Sequence, residues 1–352
     1  MEQREILKQV PDRLLSWYVK NARVLPWRDQ AEPYRVWVSE IMLQQTRVEA
    51  VKPYYQRFLQ ALPTVRDLAE APEEQLLKLW EGLGYYNRVR NLQKGAKKVM
   101  EDYGGEIPAS LEALRGLPGI GDYTAGAIAS IAFGIPVPAV DGNVLRVRAR
   151  LLNDPSDILD PNVKKLAVSQ IKEIIPPNHA GDFNQALMEL GAMVCLPNGA
   201  AKCLYCPLNG ICAAYRSGTA AELPVKTKKQ PRKAEKKTVF LISCGGAVAL
   251  RRRPEKGLLS GLWELPWVEG FLNAEAAGKQ LEAWGLEPVR LQKLSGAKHI
   301  FTHIEWHMQA FEAEVGNKAS GFEWASRQDL QEDITLPSAF KAYFQEIDRL
   351  LS

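Results

Sequence analysis

LRGLPGIGDYTAGAIASIAFG, residues 114–134, joins two helical patterns through a turn that holds Pro118, Gly119 and Gly121. Glycine tolerates positive φ and lets other groups approach its backbone. The amides around Gly119 and Gly121, with the N-terminus of the following helix, can therefore point at one phosphate. Such a contact holds a nucleic-acid backbone without reading its bases. A glycine-bearing turn also serves as a plain helix–helix connection, so its surroundings decide. On both sides, from Ile6 to about Tyr215, segments such as SEIMLQQTRVEAVKPYYQRFLQALP (39–63) and EEQLLKLWEGLG (73–84) repeat apolar residues three and four apart between Pro and Gly breakers. That is the pattern of an all-α half.

Between Arg216 and Lys237 the composition changes, with seven Lys or Arg from Lys226 to Lys237 and almost nothing apolar. This is the composition of a solvated linker. Beyond it, TVFLIS, GGAVALRRR and HIFTHIEWHMQAFEAEV are rich in β-branched and aromatic residues, which predicts an α+β second half. His299, His303 and His307 are spaced by four. On one strand that spacing separates them by ~13 Å per step, so they read as a polar strand face and not a metal site.

At 352 residues the chain is long enough for two domains. Its 46% hydrophobic and 24% charged residues, with no unbroken apolar run near ~18 residues, exclude a membrane helix. MEQREILKQV lacks the basic and apolar regions of a secretory signal, so a cytoplasmic protein is expected. A net charge of +4 permits a polyanionic partner without demanding one.

Five cysteines in a reducing compartment argue against disulfides, and four of them form Cys195-x7-Cys203-x2-Cys206-x5-Cys212. Structural zinc sites usually pair two short knuckles across a longer insert. One x2 pair with wider outer gaps is closer to a chain wrapped round an iron–sulfur cluster, with zinc or free thiols as the alternatives. Two carboxylates also stand out. Asp141 follows an apolar run and precedes a helical pattern, where an N-cap is its simplest role. Glu40 has Val36, Trp37, Ile41 and Leu43 as neighbours. An acid in such company sits at a solvent edge or has a raised pKa. Were the two to face one pocket, one protonated and one ionised, they would suit cleavage of a glycosidic bond.

LPWR (25–28), WVSEIMLQQT (37–46), EGLGYY (81–86), LPGIGDYTA (117–125), VDGNV (140–144), FNQALMELGAMVC (183–195) and the cysteine loop together resemble the adenine DNA glycosylase (MutY) family. That family lies in the helix–hairpin–helix superfamily with endonuclease III. WELP (263–266) and HIFTH (299–303) extend the likeness to a second domain, Nudix-like in the family. The resemblance implies a helical glycosylase domain over 1–215, with its helix–hairpin–helix at 114–130 and an iron–sulfur loop at 195–212. A basic linker over 216–237 and a Nudix-like domain over 238–352 follow.

It further implies removal, by a monomer, of adenine mispaired with 8-oxoguanine in duplex DNA, the flipped base being cleaved from its sugar. Glu40 matches the family's general acid at adenine N7. Asp141 matches the carboxylate that stabilises the oxocarbenium-like sugar or bonds to it, and Asn143 the residue that orients it. Tyr123 matches a residue beside the sugar; packing under the hairpin is its bland alternative. Arg28 and Gln185 match the adenine pocket, Gln45 and Tyr85 the wedge that fills the stack, and Phe301, Thr302 and His303 the 8-oxoguanine loop, with Thr in place of Ser. Cys195, Cys203, Cys206 and Cys212 match the ligands of one 4Fe–4S cluster.

There are departures and discriminators. The first cysteine gap is seven where six is commonest, the extra residue falling in Gly199-Ala200-Ala201. Position 123 is Tyr where bifunctional relatives carry the Schiff-base Lys, which implies base removal without strand cutting. Leu145 stands where some relatives have Lys. WVEGFLNAEAAGKQLEAWGLE lacks the clustered glutamates of a pyrophosphatase Nudix helix, so that activity is not expected.

Overall fold

The computed structural model describes residues 2–198, 201–227 and 231–352. Gly199 and Ala200 of the lengthened cysteine gap and Lys228–Gln230 of the basic stretch lie outside them. The chain forms two compact units, Met1–Ala71 with Asn87–Lys228 and Pro72–Tyr86 with Lys229–Ser352.

The first unit is helical throughout. Its hairpin runs from the helix Leu111–Arg115, capped by the Ser110 side chain, through the glycine turn into the helix Asp122–Phe133. Gly119 has φ +79°, and a Cβ there would meet Asn91 Cβ at 2.8 Å, so both backbone sign and space demand glycine. Gly121 differs: its backbone is extended, and a Cβ there would have nothing within 4 Å. The Asp122–Phe133 helix ends on Gly134 in the left-handed conformation, a common helix stop.

The chain then turns back towards Asp141. Asn184, fully buried, fixes that return: its side chain accepts from Ala139 N at 3.0 Å and donates to Val137 O at 2.9 Å and Ser130 Oγ at 2.8 Å. Asp141 begins the helix Gly142–Leu151, and the helix Ala180–Met193 packs across it. Leu14, Tyr18, Val147, Phe183, Leu187 and Leu190 form the core between these helices and the N-terminal one.

The start of the basic stretch is not a plain solvated spacer. Leu223 is buried, its carbonyl accepts from Arg150 Nε at 2.9 Å, and Val225 O accepts from Ile158 N at 3.1 Å.

In the second unit the strands are β1 (Lys233–Cys244), β2 (Ala247–Arg252), β3 (Trp263–Glu264), β4 (Trp267–Glu269), β5 (Pro288–Ile300), β6 (Ile304–Val315) and β7 (Glu323–Ala325). They make one sheet of order β3-β2-β1-β6-β5, with β4 on β1 and β7 on β2. Only the β1–β6 pair is parallel among those described. Alternation sends Val239, Leu241, Trp306 and Met308 to the face covered by Phe340 and Ile347, and Phe240, Ile242 and Phe311 to the face covered by the helix Ala274–Ala283.

The histidine stretch is not one strand. It breaks at Phe301-Thr302-His303 into a hairpin, placing His299 on β5 and His307 on β6. The polar-face alternation holds from Ile304 onward, but Ile300 is 53% exposed because the turn that follows it places it opposite Glu305, on the polar face. The segment Pro72–Tyr86 packs with this unit: Lys78 Nζ donates to Leu330 O at 2.6 Å and Ile334 O at 3.2 Å, and Leu336 N donates to Glu81 Oε1 at 2.9 Å.

Gly126 gives the first test. A Cβ there would lie 2.3 Å from the Pro138 carbonyl oxygen, a backbone atom that cannot swing aside. The helix-propensity gain of Gly→Ala is only ~0.5–1 kcal/mol, whereas overpacking a core typically costs ~1–3 kcal/mol. Gly126→Ala is therefore expected to lower the denaturant midpoint of the helical unit; an unchanged or raised midpoint would mean that the Asp141 approach can give way.

Candidate active site

A pocket of about 180 Å³ opens in the helical unit, lined by Trp27, Arg28, Glu40, Tyr123, Asp141, Asn143, Gln185, Met188 and Glu189 among others. Five separate stretches of sequence meet there. Glu40 comes from the helix Pro33–Leu43, most of whose residues are buried, and is itself buried at the pocket wall. Burial pushes its pKa from 4.5 up to about 7; the Tyr123 hydroxyl and the Arg28 charge pull downward while the Asp141 charge adds to the rise. One carboxyl oxygen, Oε2, is buried without a hydrogen-bond partner. A buried oxygen left in that state is most readily satisfied by carrying the proton and donating it.

Burial also raises the Tyr123 hydroxyl well above its ordinary value, so it stays a donor. It lies 3.2 Å from Met188 Sδ as well as acting on Glu40.

Asp141 is the N-cap its sequence predicts and also a pocket residue. Oδ1 accepts from Val144 N at 2.8 Å and Oδ2 from Asn143 Nδ2 at 2.7 Å. Burial raises its pKa, and these donors with Arg146 offset only part of that rise. Asn143 is held in turn: Arg146 Nη2 donates to its Oδ1 at 2.9 Å and to Gly191 O at 2.9 Å, while Nε donates to Cys195 O at 2.9 Å. Gly191 leaves room for this contact, since a Cβ there would sit 2.6 Å from Asn143 Cβ.

Arg28 is fixed by three acceptors: Gln185 Oε1, Arg23 O and Glu189 Oε2, each at 3.0 Å. Burial would push Glu189 up, but its hydrogen bonds from Arg23 and Arg28 outweigh that and hold it at about 2. Arg23 binds it in a fork, at 2.7 and 2.8 Å. Glu189, Arg23 and Arg146 escaped the sequence reading. A Glu inside ALMELGAM, one helical turn after Gln185, and an Arg inside VLRVRARL are the available signals, because charge within an apolar helical pattern must find a buried partner.

Cys195, Cys203, Cys206 and Cys212 line one small cavity of about 30 Å³ with Arg150, Val194 and Tyr215. Burial, reinforced by the other thiols, pushes Cys206 up to about 12. Arg150 Nη1 donates to Cys195 Sγ at 3.3 Å. Among the described residues no three His, Cys, Asp or Glu side chains gather closely enough for a single ion. Four cysteines lining one cavity have the donor chemistry that a polynuclear iron–sulfur group takes.

Gln45 and Tyr85 are both exposed and both have positive φ, 58° and 51°. Their neighbours Gln44 and Tyr86 are half-buried and buried, respectively. In the second unit Thr302 and His303 are exposed at the hairpin tip, and the Tyr85 hydroxyl lies 3.4 Å from Thr302 Oγ1. Phe301 turns inward, edge-on to Trp306 at 4.9 Å, and its carbonyl accepts from Arg232 Nε at 3.0 Å.

Residues 38–173 match the model of the HhH-GPD superfamily of base excision DNA repair proteins, and residues 238–346 that of the NUDIX domain. The adenine DNA glycosylase of Mus musculus is 37% identical over 94% of this chain and 76% of its own length. The Homo sapiens protein of that name is 35% identical over 94% and 72%. The chain belongs to the adenine DNA glycosylase family. Membership makes it an enzyme of base excision DNA repair that hydrolyses N-glycosyl bonds.

Two solved structures support the helical fold. A thermostable thymine-DNA glycosylase is 30% identical, with TM-score 0.54 over 61% of this chain and 97% of its own. Endonuclease III in a non-covalent DNA complex is 25% identical, with TM-score 0.53 over 62% and 99%. No helix among the described residues is long and apolar enough to cross a membrane.

Glu40 should leave a signature in stability. A carboxyl whose folded pKa is about 7 binds its proton more tightly folded than unfolded, so its contribution weakens the fold as pH rises from about 4.5 to about 7 and is then constant. Glu40→Gln carries no such charge. It is expected to be more stable than the parent at pH 8, by on the order of 3 kcal/mol at ~1.4 kcal/mol per pH unit across that interval, and to lose that margin towards pH 5. Denaturant melts across this range check it; a margin independent of pH would mean that Glu40 is not buried as a proton-holding acid.

Proposed function

We propose that this enzyme removes adenine paired with 8-oxoguanine, or with guanine, from duplex DNA without cutting the strand. The observation that carries the reading is the pairing in one pocket of a buried Glu40, held to about 7, with an N-capping Asp141. Two carboxyls in contrasting surroundings suit an acid and a counter-anion for an oxocarbenium-like sugar.

Adenine leaves poorly as an anion. Glu40 donates its proton to adenine N7, and a positioned acid of this kind typically gives ~10²–10⁴-fold. As the C1′–N9 bond breaks, the Asp141 carboxylate faces the developing positive charge and stabilises it. Asn143, held by Arg146, keeps the Asp141 oxygen aimed, and Tyr123 bonds the Glu40 carboxyl. Water then completes the hydrolysis at the anomeric carbon. Arg28 and Gln185, locked to one another and to Glu189, form the wall for the flipped base.

A flipped base leaves a hole that costs a few kcal/mol unless filled. Gln45 and Tyr85, exposed on strained backbone, suit the wedge. The Gly119–Gly121 amides suit one phosphate, with free space at Gly121 for its approach. Phe301, Thr302 and His303 present a hydroxyl and an imidazole to 8-oxoguanine from an inward-anchored hairpin, in a domain from about residue 238 onward. Tyr123 stands where bifunctional relatives need an amine, so no Schiff base forms. Cys195, Cys203, Cys206 and Cys212 would hold one 4Fe–4S cluster, which when bound ties down the 195–212 loop. The enzyme acts as a cytoplasmic monomer on DNA.

The test is a single-turnover assay on a duplex with one adenine opposite 8-oxoguanine, divided between hot alkali and a neutral quench. Breaks are expected only after alkali. Breaks in the neutral quench would overturn the monofunctional reading, and no breaks in either from iron-loaded protein would overturn the substrate.

Asp141→Asn keeps the cap, because Asn is as good an N-cap as Asp. A folded protein at least ~100-fold slower is expected; near-parental activity would reduce Asp141 to a helix cap. The parental rate should also fall as pH rises through about 7, where Glu40 loses its proton.

A further inference from the structure

The helix Pro33–Leu43 ends without a backbone cap, its Ccap residue Gln44 being non-helical with ψ 111°. The last carbonyls of a helix need donors. Two of them, with the Gln44 carbonyl beyond, receive theirs from one side chain: Arg88 Nη1 donates to Ile41 O at 2.9 Å, Met42 O at 3.0 Å and Gln44 O at 2.7 Å. Arg88 Nη2 donates to Thr46 Oγ1 at 3.3 Å, and Thr46 N closes the turn on Leu43 O at 3.3 Å. The guanidinium thus bonds residues on both sides of Gln45.

Gln45 itself has φ 58°. The left-handed region is costly for a non-glycine residue, which stays there only where its surroundings over-determine it. An ordinary helix stop would place Gly there, or Asn, with backbone amides satisfying the carbonyls. Here the αL residue is a Gln, and an arginine does the satisfying.

We propose that Arg88 is a positioning residue for the wedge: its guanidinium holds the 43–46 turn in the strained conformation that projects Gln45. This rests on Gln45 being the wedge. Released, the turn would relax and Gln45 would fill the base-pair hole only in a fraction of complexes. Lysine cannot replace the fork, since a compact ammonium does not span acceptors on both sides of the turn.

The experiment uses full-length, iron-loaded enzyme and four variants: Arg88→Lys, Arg88→Ala, Gln45→Ala and the double variant Gln45→Ala/Arg88→Ala. Thermal melting accompanies two readouts on an adenine:8-oxoguanine duplex. These are the single-turnover rate and the fluorescence of a 2-aminopurine beside the 8-oxoguanine, which brightens when the wedge unstacks it.

Loss of one such conformational restraint shifts a population by about 5- to 30-fold. Arg88→Lys and Arg88→Ala are expected to slow the reaction by that order and dim the 2-aminopurine signal as Gln45→Ala does. The double variant should be no slower than the slower single. Arg88→Lys, the milder change, carries the test if Arg88→Ala does not fold.

A parental rate and signal in Arg88→Lys would overturn the proposal. So would additive losses in the double variant, or a slowed Arg88→Lys with undimmed fluorescence; each would make Arg88 a phosphate contact or a stabilising residue only. If Gln45→Ala itself changes neither readout, the wedge reading fails and the proposal falls with it.

Discussion

Taking a carboxylate out of water is the constraint round which the helical unit is arranged. Glu40 has almost no exposed surface and one carboxyl oxygen without a partner, and the fold answers by leaving the group protonated near neutrality. Glu189, in the same pocket, is also buried, yet two arginines hold it ionised at about 2. The difference is in the neighbours. One acid is given two guanidinium groups, the other a phenol and the field of Asp141. A single cavity can therefore present an acid, an anion and an organising ion pair without any unusual residue chemistry.

Asp141 occupies the middle ground. Burial raises its pKa, while a helix N-terminus, a side-chain amide and the nearby Arg146 charge favour its ionised form. The hydrogen bonds from Asn143 and Val144 fix its direction whatever its proton does, and Asn143 is fixed by an arginine that also bonds the backbone of Cys195. Geometry is thus set independently of ionisation.

The sequence exposed much of this, unevenly. Helical periodicity, the glycine turn, the linker composition and the cysteine spacing are local patterns, and the structure realises helices and strands where they fall. Glu40 and Asp141 were each visible as oddities. That they share a pocket was not, because periodicity says nothing about which distant helices meet, and only the likeness to a family joined them. Glu189, Arg146 and Arg88 were hidden for a different reason. A charged residue on a helix reads as a solvated one unless its buried acceptors are known, and those acceptors are carbonyls and carboxylates contributed by other elements. The histidine stretch failed on connectivity: equal spacing looked like one strand, whereas Phe301-Thr302-His303 turns the chain and puts the flanking histidines on different strands.

The excursion of Pro72–Tyr86 has a consequence for how the molecule comes into being. These residues lie between two stretches of the helical unit in the chain, but Lys78 donates to the carbonyls of Leu330 and Ile334, and Glu81 accepts from Leu336 N. During synthesis they emerge long before those partners exist. Domains generally fold as units from the N-terminus while the chain is still growing. Here the helical unit must set its own core while carrying a loop whose packing is deferred until the last strands have been made. The chain passes between the two units at residues 71–72, at 86–87 and again at 228–229. Gene fragments cut at the basic stretch would separate the loop from the partners that complete it.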